Sequence, residues 1–298
     1  MPGRTSLLYS LFLSAWLLSS CTYRFYQSGC QYPVPGSMVK LTNLDSVVHE
    51  TSGLLFQDGN IWSFNDSGGE AALYCLDARN GSLIRKTIIR HATNVDWEDI
   101  TEDEFHVYVA DVGNNFATRD TIIIYRILKT SMLSGDPELI HDGIISVSFR
   151  GETDQTRSGF SSHDCEALFA YGDSLFLFSK DWVRESTSVY ILPKEPGHYL
   201  LDPSARYEVR FLVTGADLFP ASGQVTLVGY HNYMPVVISY GFTGNPARIA
   251  CGGKARIYPL KAGRQVEGVC YDTNGDLLIS AERSLQKPAL FKVSRAVR

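Results

Sequence analysis

At 298 residues, 44% of them hydrophobic, the chain is long enough for one large all-β domain or two smaller ones with a real core. Its formal net charge of −5 provides no basic face of the kind that nucleic-acid binding uses, so nucleic acid is excluded as a partner. Six cysteines, with no Cys-x-x-Cys and no paired Cys/His spacing, exclude a structural zinc site.

The N-terminus reads as an export signal. Arg4 precedes an apolar run, Leu7 to Leu18, that is too short for a comfortable membrane span and fits a signal h-region. The run ends in Leu18-Ser19-Ser20-Cys21, which resembles the bacterial lipobox, where signal peptidase cuts before a cysteine that receives lipid. The expectation is a signal peptide over 1–20, lipidation at Cys21 and a tether over 21–37 containing Gly29, Pro33, Pro35 and Gly36. A plain signal peptide with an unmodified Cys21 is the alternative. Thr22 is not Asp, so the lipobox reading points to the outer membrane, facing either the periplasm or the cell surface. Several acyl chains hold a protein firmly to a bilayer, which makes the membrane a partner. Lipidation would leave Cys30, Cys75, Cys165, Cys251 and Cys270, an odd number that argues against a full disulfide framework.

From 38 to 298 the chain is a run of short strands with almost no helical period. Five hairpins repeat. The first runs from Ser52–Phe56 through Asp58-Gly59 to Ile61–Phe64, and the second joins Glu98–Thr101 to His106–Ala110. The third joins Glu166–Phe169 to Leu175–Ser179, the fourth Gly215–Phe219 to Val225–Gly229, and the fifth Glu267–Tyr271 to Leu277–Ser280. Each is followed by a third strand. A fourth is expected at Lys86–Arg90, Ile144–Arg150, Tyr207–Val213 and Ala255–Leu260, but not after the last hairpin. The unassigned strand Val39–Leu44 fits that vacancy. Four-stranded units closed by joining the two ends of a chain describe a β-propeller. We expect five blades, or six if the insertion around Gly151–His163 hides one.

In a propeller the first strand of each blade lines the channel, so the start of strand one and the end of strand two meet at one mouth. That step gathers Asn65, Asp66, Glu98, Asp111, Asn114, Glu166, Asp181, Glu267 and Glu282 as candidate ligand-binding residues, with Lys180 and Arg283 as cations. Asp66-Ser67-Gly68-Gly69 resembles the nucleophile segment of chymotrypsin-like proteases, but no His and acid stand in a protease-like context, and a rim loop is the better reading. Carboxylates at strand ends also cap turns, a purely structural use. Glu98, Glu166 and Glu267 crowded at one mouth must be neutralised by protons, by Lys180 and Arg283, or by a cation. Oxygen-only donors favour Ca²⁺ or Mg²⁺, with those three glutamates as candidate metal ligands. Trp97 and Trp182, each beside an acid, are candidates to line the mouth.

"NDSGGEAALYCLD", "DWEDI" (Asp96 to Ile100) and "VADVGNN" (Val109 to Asn115) resemble a group of uncharacterised bacterial secreted propeller proteins, which implies fold and export. More distantly, Glu267-Gly268 opening an inner strand is similar to the gluconolactonase and regucalcin-like propellers, and phytase-like propellers share the cue. The former resemblance implies one divalent metal in the channel, on Glu98 or Glu267 with Asn65, Asn114 and Asp181. Two functions follow as expectations. One is a non-catalytic exported lipoprotein whose channel face binds a small molecule, a glycan or a protein. The other is a divalent-metal-dependent hydrolase of a lactone, ester or phosphoester, with Glu98 or Asp111 as general base and Lys180 or Arg283 holding an anionic oxygen.

Overall fold

The computed structural model describes residues 37–150, 161, 163–242, 244, 254–257, 264–283 and 285–293. Cys21, its leader and the tether, and most of the insertion after Gly151, lie outside these residues.

Strand β1 (Met38–Asn43) comes first and leads through a 3-10 turn, Ser46–Val48, into blade one: β2 (Thr51–Gln57), β3 (Asn60–Asn65), β4 (Ala72–Asp77) and β5 (Leu83–Arg90). Blade two holds β6 (Trp97–Glu102), β7 (His106–Asp111) and β8 (Ile122–Leu128); a short helix α1 (Lys129–Leu133) and β9 (Glu138–Ile140) precede its outer strand β10 (Gly143–Phe149). Blade three holds β11 (Cys165–Tyr171), β12 (Ser174–Ser179), β13 (Thr187–Pro193), β14 (Gly197–Leu201) and β15 (Ala205–Tyr207), although β14 pairs outside its own blade. Blade four is β16 (Leu212–Phe219), β17 (Gln224–His231), β18 (Met234–Gly241) and β19 (Lys254–Ile257). Blade five is β20 (Val266–Tyr271), β21 (Leu277–Ala281) and β22 (Ala289–Val293). The strands form five sheets, and β1 pairs antiparallel with β22 from Met38–Val293 to Asn43–Ala289. The ring is therefore a five-bladed β-propeller closed by its N-terminal strand. The inner strands β2, β6, β11, β16 and β20 neighbour one another in that order around the axis.

Local chemistry sets the hairpins. Asp58 and Gly59 take φ of 51° and 80° between β2 and β3, the left-handed pair that a two-residue turn needs. In the longer turns Asp103 accepts from the Phe105 and His106 amides, and Asp272 from the Asn274 and Asp276 amides. Alternate strand residues then face the neighbouring blades, and one apolar layer fills each of the five junctions. Trp97 is fully buried in the layer between blades one and two, edge-on to Phe64 at 5.4 Å. It is a core residue and does not line the mouth.

Two further details depart from the sequence reading. The outer strand of blade three is Ala205–Tyr207, whereas Leu212 and Val213 already belong to the inner strand of blade four. The connections before the outer strands of blades two and three also lend a strand backwards: β9 pairs parallel with β5, and β14 parallel with β10.

Candidate functional site

Each inner strand breaks register at the same height. The breaks fall between Ser52 and Leu55, at Glu98, at Glu166, at Thr214, and between Val266 and Val269. A bulge takes a residue out of the ladder and re-aims its side chain. Aligned on the bulge, Ser52, Glu98, Glu166, Thr214 and Glu267 form one ring at the channel mouth. Ser52 Oγ and Thr214 Oγ1 donate to the carbonyls of Glu98 and Val266 in the next blade, each at 2.6 Å, and so stitch the ring. The three glutamates remain. Above them, the residue that follows the second strand in four blades, with Tyr230 near the end of β17 in blade four, gives another ring: Asp66, Val112, Lys180, Tyr230 and Glu282.

One position below the bulge the channel closes. Here stand Gly53, Asp99, Ala167, Gly215 and Gly268. A Cβ on Gly215 would come 2.5 Å from the Glu267 carbonyl oxygen, so the strands pass too closely for a side chain there. Asp99, with no exposure, accepts from the amides of Ile100, Leu168 and Ala216 and ties three blades together. The mouth is thus a cup with a floor, a cavity of ≈ 340 Å³ lined by Asp66, Glu98, Glu166, Lys180, Tyr230 and Glu267.

Lys180 is the cation at its centre. Its Nζ lies 2.7 Å from Glu166 Oε1 and 4.5 Å from the centroid of Trp182, which lines the cup. Burial disfavours the ammonium, but Glu166 and Asp164 outweigh it and hold Lys180 well above its usual range. That pair is self-neutralising. The other acids are not. Asp66, Asp96 and Glu98 place carboxylate oxygens within 4.8 Å of one another. Burial, then repulsion from Asp96 and Glu267, pushes Asp66 up to about 8. Burial and the charge of Asp164 raise Asp96. Burial, Glu166 and Asp66 raise Glu98 well above the carboxylate range. Glu98 is only 4% exposed, and no hydrogen bond reaches its carboxylate among the described residues. Asp66 Oδ1 is a buried atom with no partner among the described residues. Gly113 backs this cluster: a Cβ there would lie 2.3 Å from both Asp96 Oδ2 and Glu98 Oε1. Orphaned hard oxygens, in a niche kept open by a glycine, fit a hard divalent cation.

The other sequence candidates are spent elsewhere. Asn65 bonds the backbone of Val47 and Glu50. Asp111 is buried, accepts from the Val95 and Asp96 amides and pairs with Arg119 at 2.8 Å. Asn114 holds its own loop through Arg119. Asp181 caps the turn at Val183 and Arg184 and pairs with Arg206 at 2.7 Å. Arg283 is exposed, with its amide on His49. Glu267 lines the cup with Oε1 on Gln265, and Glu282, raised to about 7 by burial and by Glu267, lies beside it. Of the three glutamates read as metal ligands, only Glu98 joins the close cluster; Glu166 faces Lys180, and Glu267 stands with Gln265.

Sequence reasoning passed over Asp96, Asp164 and Tyr230. Asp164 accepts from the Asn114 amide and Trp182 Nε1, fastening two rim loops. The signal was present as a repeat: Asp96-Trp97-Glu98 and Asp164-Cys165-Glu166 put an acid two residues before two of the three bulge glutamates.

No family model and no curated protein matches the chain. Among solved structures it is similar to a glucose dehydrogenase, at 11% identity and a TM-score of 0.48 over 87% of this chain and 100% of that one. It is also similar to the calcium-binding protein regucalcin from Agrobacterium tumefaciens str. C58, at 14% identity and a TM-score of 0.44 over 87% and 94%. Likenesses this distant decide neither ligand nor activity, which rest on the cup itself.

Proposed function

We propose that this is an exported lipoprotein, anchored through Cys21, whose propeller cup holds one Ca²⁺ or Mg²⁺ on Asp66, Asp96 and Glu98 and binds a ligand there without catalysis. The observation that carries the reading is Glu98, a 4% exposed carboxylate opening into the cup without a hydrogen-bond partner among the described residues, beside two further carboxyls within 4.8 Å. A bound cation would neutralise acids that burial and mutual repulsion otherwise oppose. Calorimetric titration of chelator-treated protein with Ca²⁺ and Mg²⁺ tests it. One-to-one binding that falls at least ten-fold in Glu98→Gln and Asp96→Asn is the expected result. No binding in the parent protein would sink the reading. Labelling with radioactive palmitate, lost on Cys21→Ala, tests the anchor.

The hydrolase reading keeps one observation in its favour: Lys180 stands in the same cup, where an ammonium can hold an anionic oxygen. Against it, Asp111, a candidate base, is committed to Arg119. Turnover of any lactone, ester or phosphoester in a substrate panel, abolished by chelator, would replace the binding reading with this one.

A further inference from the structure

The cup sits inside an apolar collar. In blades two to five, the loop joining the second strand to the third carries a large exposed apolar side chain. These are Phe116 at 65% exposed, Val183 at 53%, Tyr233 at 59% and Leu285 at 97%. Four equivalent loops on one face do the same thing, which scattered surface residues do not. Blade one breaks the pattern: its loop is Ser67-Gly68-Gly69, and a Cβ on Gly68 would meet nothing within 4 Å. The collar is open on that side.

Tyr233 is held there against local preference. Asn232 and Tyr233 are the two central residues of the turn between β17 and β18, with φ of 50° and 61°. Glycine is usual at the second of these positions, and an aromatic there carries backbone strain. The Tyr233 ring lies parallel to Tyr230, 6.1 Å away, so the pair forms a platform running from the collar into the cup. Tyr230 is 5% exposed, and its hydroxyl, which faces the cup, has no hydrogen-bond partner among the described residues.

Charge selects the occupant. Lys180 is committed to Glu166, and the cation site is on the blade-one side. On blade five, next to that site, Glu267 and Glu282 have no cation at hydrogen-bonding distance among the described residues. An anionic group on that wall would meet two carboxylates. A basic side chain would meet two carboxylates, a phenol hydroxyl and an aromatic face, which together suit an ammonium or guanidinium.

We infer that the collared cup docks a polypeptide partner that inserts one lysine or arginine side chain toward Glu267, Glu282 and Tyr230 and lays apolar neighbours on Phe116, Val183, Tyr233 and Leu285. The inference rests on the mouth being a binding face, as proposed above, and names what it binds. It does not require the cation.

The test is an immobilised array of hexapeptides in which terminal glycines flank two apolar residues, a variable residue and a further apolar residue, the variable residue being Lys, Arg, norleucine or Glu. Full-length protein should retain the Lys and Arg members at least ten-fold better than the norleucine and Glu members. Glu267→Gln should erase that preference. Tyr233→Ser and Leu285→Ser, both on exposed loops, should weaken all binding about ten-fold with unchanged melting temperature and unchanged Ca²⁺ titration. Equal retention of Lys and norleucine peptides, or retention of none, overturns the inference. So does collar-dependent binding to phosphatidylglycerol vesicles in place of peptides, which would make this face a membrane surface. Absence of the Ca²⁺ titration with peptide binding intact sinks the cation reading above and leaves this inference standing; the reverse result removes only this inference.

Discussion

Gly113 and Lys180 show what single residues do in the cup. Gly113 leaves the space that Asp96 and Glu98 occupy, so Gly113→Ala forces a carboxylate or the loop aside. We expect a loss of about 1–3 kcal/mol, the usual range for overpacking, and at least a ten-fold weaker Ca²⁺ affinity, read by denaturant unfolding and calorimetry. Lys180→Met leaves Glu166 buried without its partner, which should cost about 3–5 kcal/mol. The double variant Lys180→Met with Glu166→Gln should recover most of that loss, because no unpaired charge remains. A double variant as unstable as the single one would mean the pair contributes packing rather than charge balance. The sequence made Glu98, Glu166 and Glu267 readable because each opens an inner strand after a turn. It hid which acids come close together. The bulge decides that, and a bulge leaves no local residue signature at Glu98 or Glu166. Asp111 and Asp181 have the same composition signal as Asp66, yet their oxygens are taken by Arg119 and Arg206. Those partners lie 8 and 25 residues away, beyond any periodic pattern.

At the scale of elements, β1 is the clasp. Its residues are mostly exposed, so its contribution comes chiefly from ladder hydrogen bonds to β22 rather than from burial. A chain beginning at Leu44 exposes the edge of β22 and opens the ring. We expect a melting temperature lower by roughly 10 °C, equivalent to about 5 kcal/mol for a domain of this size, and concentration-dependent association in light scattering. A chain that melts unchanged as a monomer would show that the apolar layers alone close the ring. The clasp was legible because a strand was left over at one end and missing at the other. The strands lent backwards, β9 and β14, were not. Three to five residues with no partner nearby in sequence give no register to read. Nor did the boundary between blades three and four show, because Phe211, Leu212 and Val213 are as apolar as an outer strand and as an inner one.

The whole molecule has two faces, and the chain direction assigns them. β1 runs from the lower face toward the cup, so Met38 lies on the face opposite the cup. On the lower face, Asp217 plays the part that Asp99 plays above it. It accepts from the Leu218 amide and, across the blade junction, from the Tyr271 amide. Burial raises its carboxyl from 3.8 to about 7, outweighing those two hydrogen bonds. The native state then holds a proton that the unfolded chain has already released between those values, and stability falls as pH rises across that window. Allowing for solvent at its partly open side, Asp217 should account for on the order of 2 kcal/mol between pH 4 and pH 7. Asp217→Asn fixes the group in a neutral form. Denaturant unfolding from pH 4 to pH 8 should therefore show a flatter profile in the variant, with the two proteins diverging up to pH 7 and staying furthest apart above it, where the variant is the more stable. Parallel profiles would mean that Asp217 stays ionised through the window, with the Leu218 and Tyr271 amides, rather than burial, setting its charge.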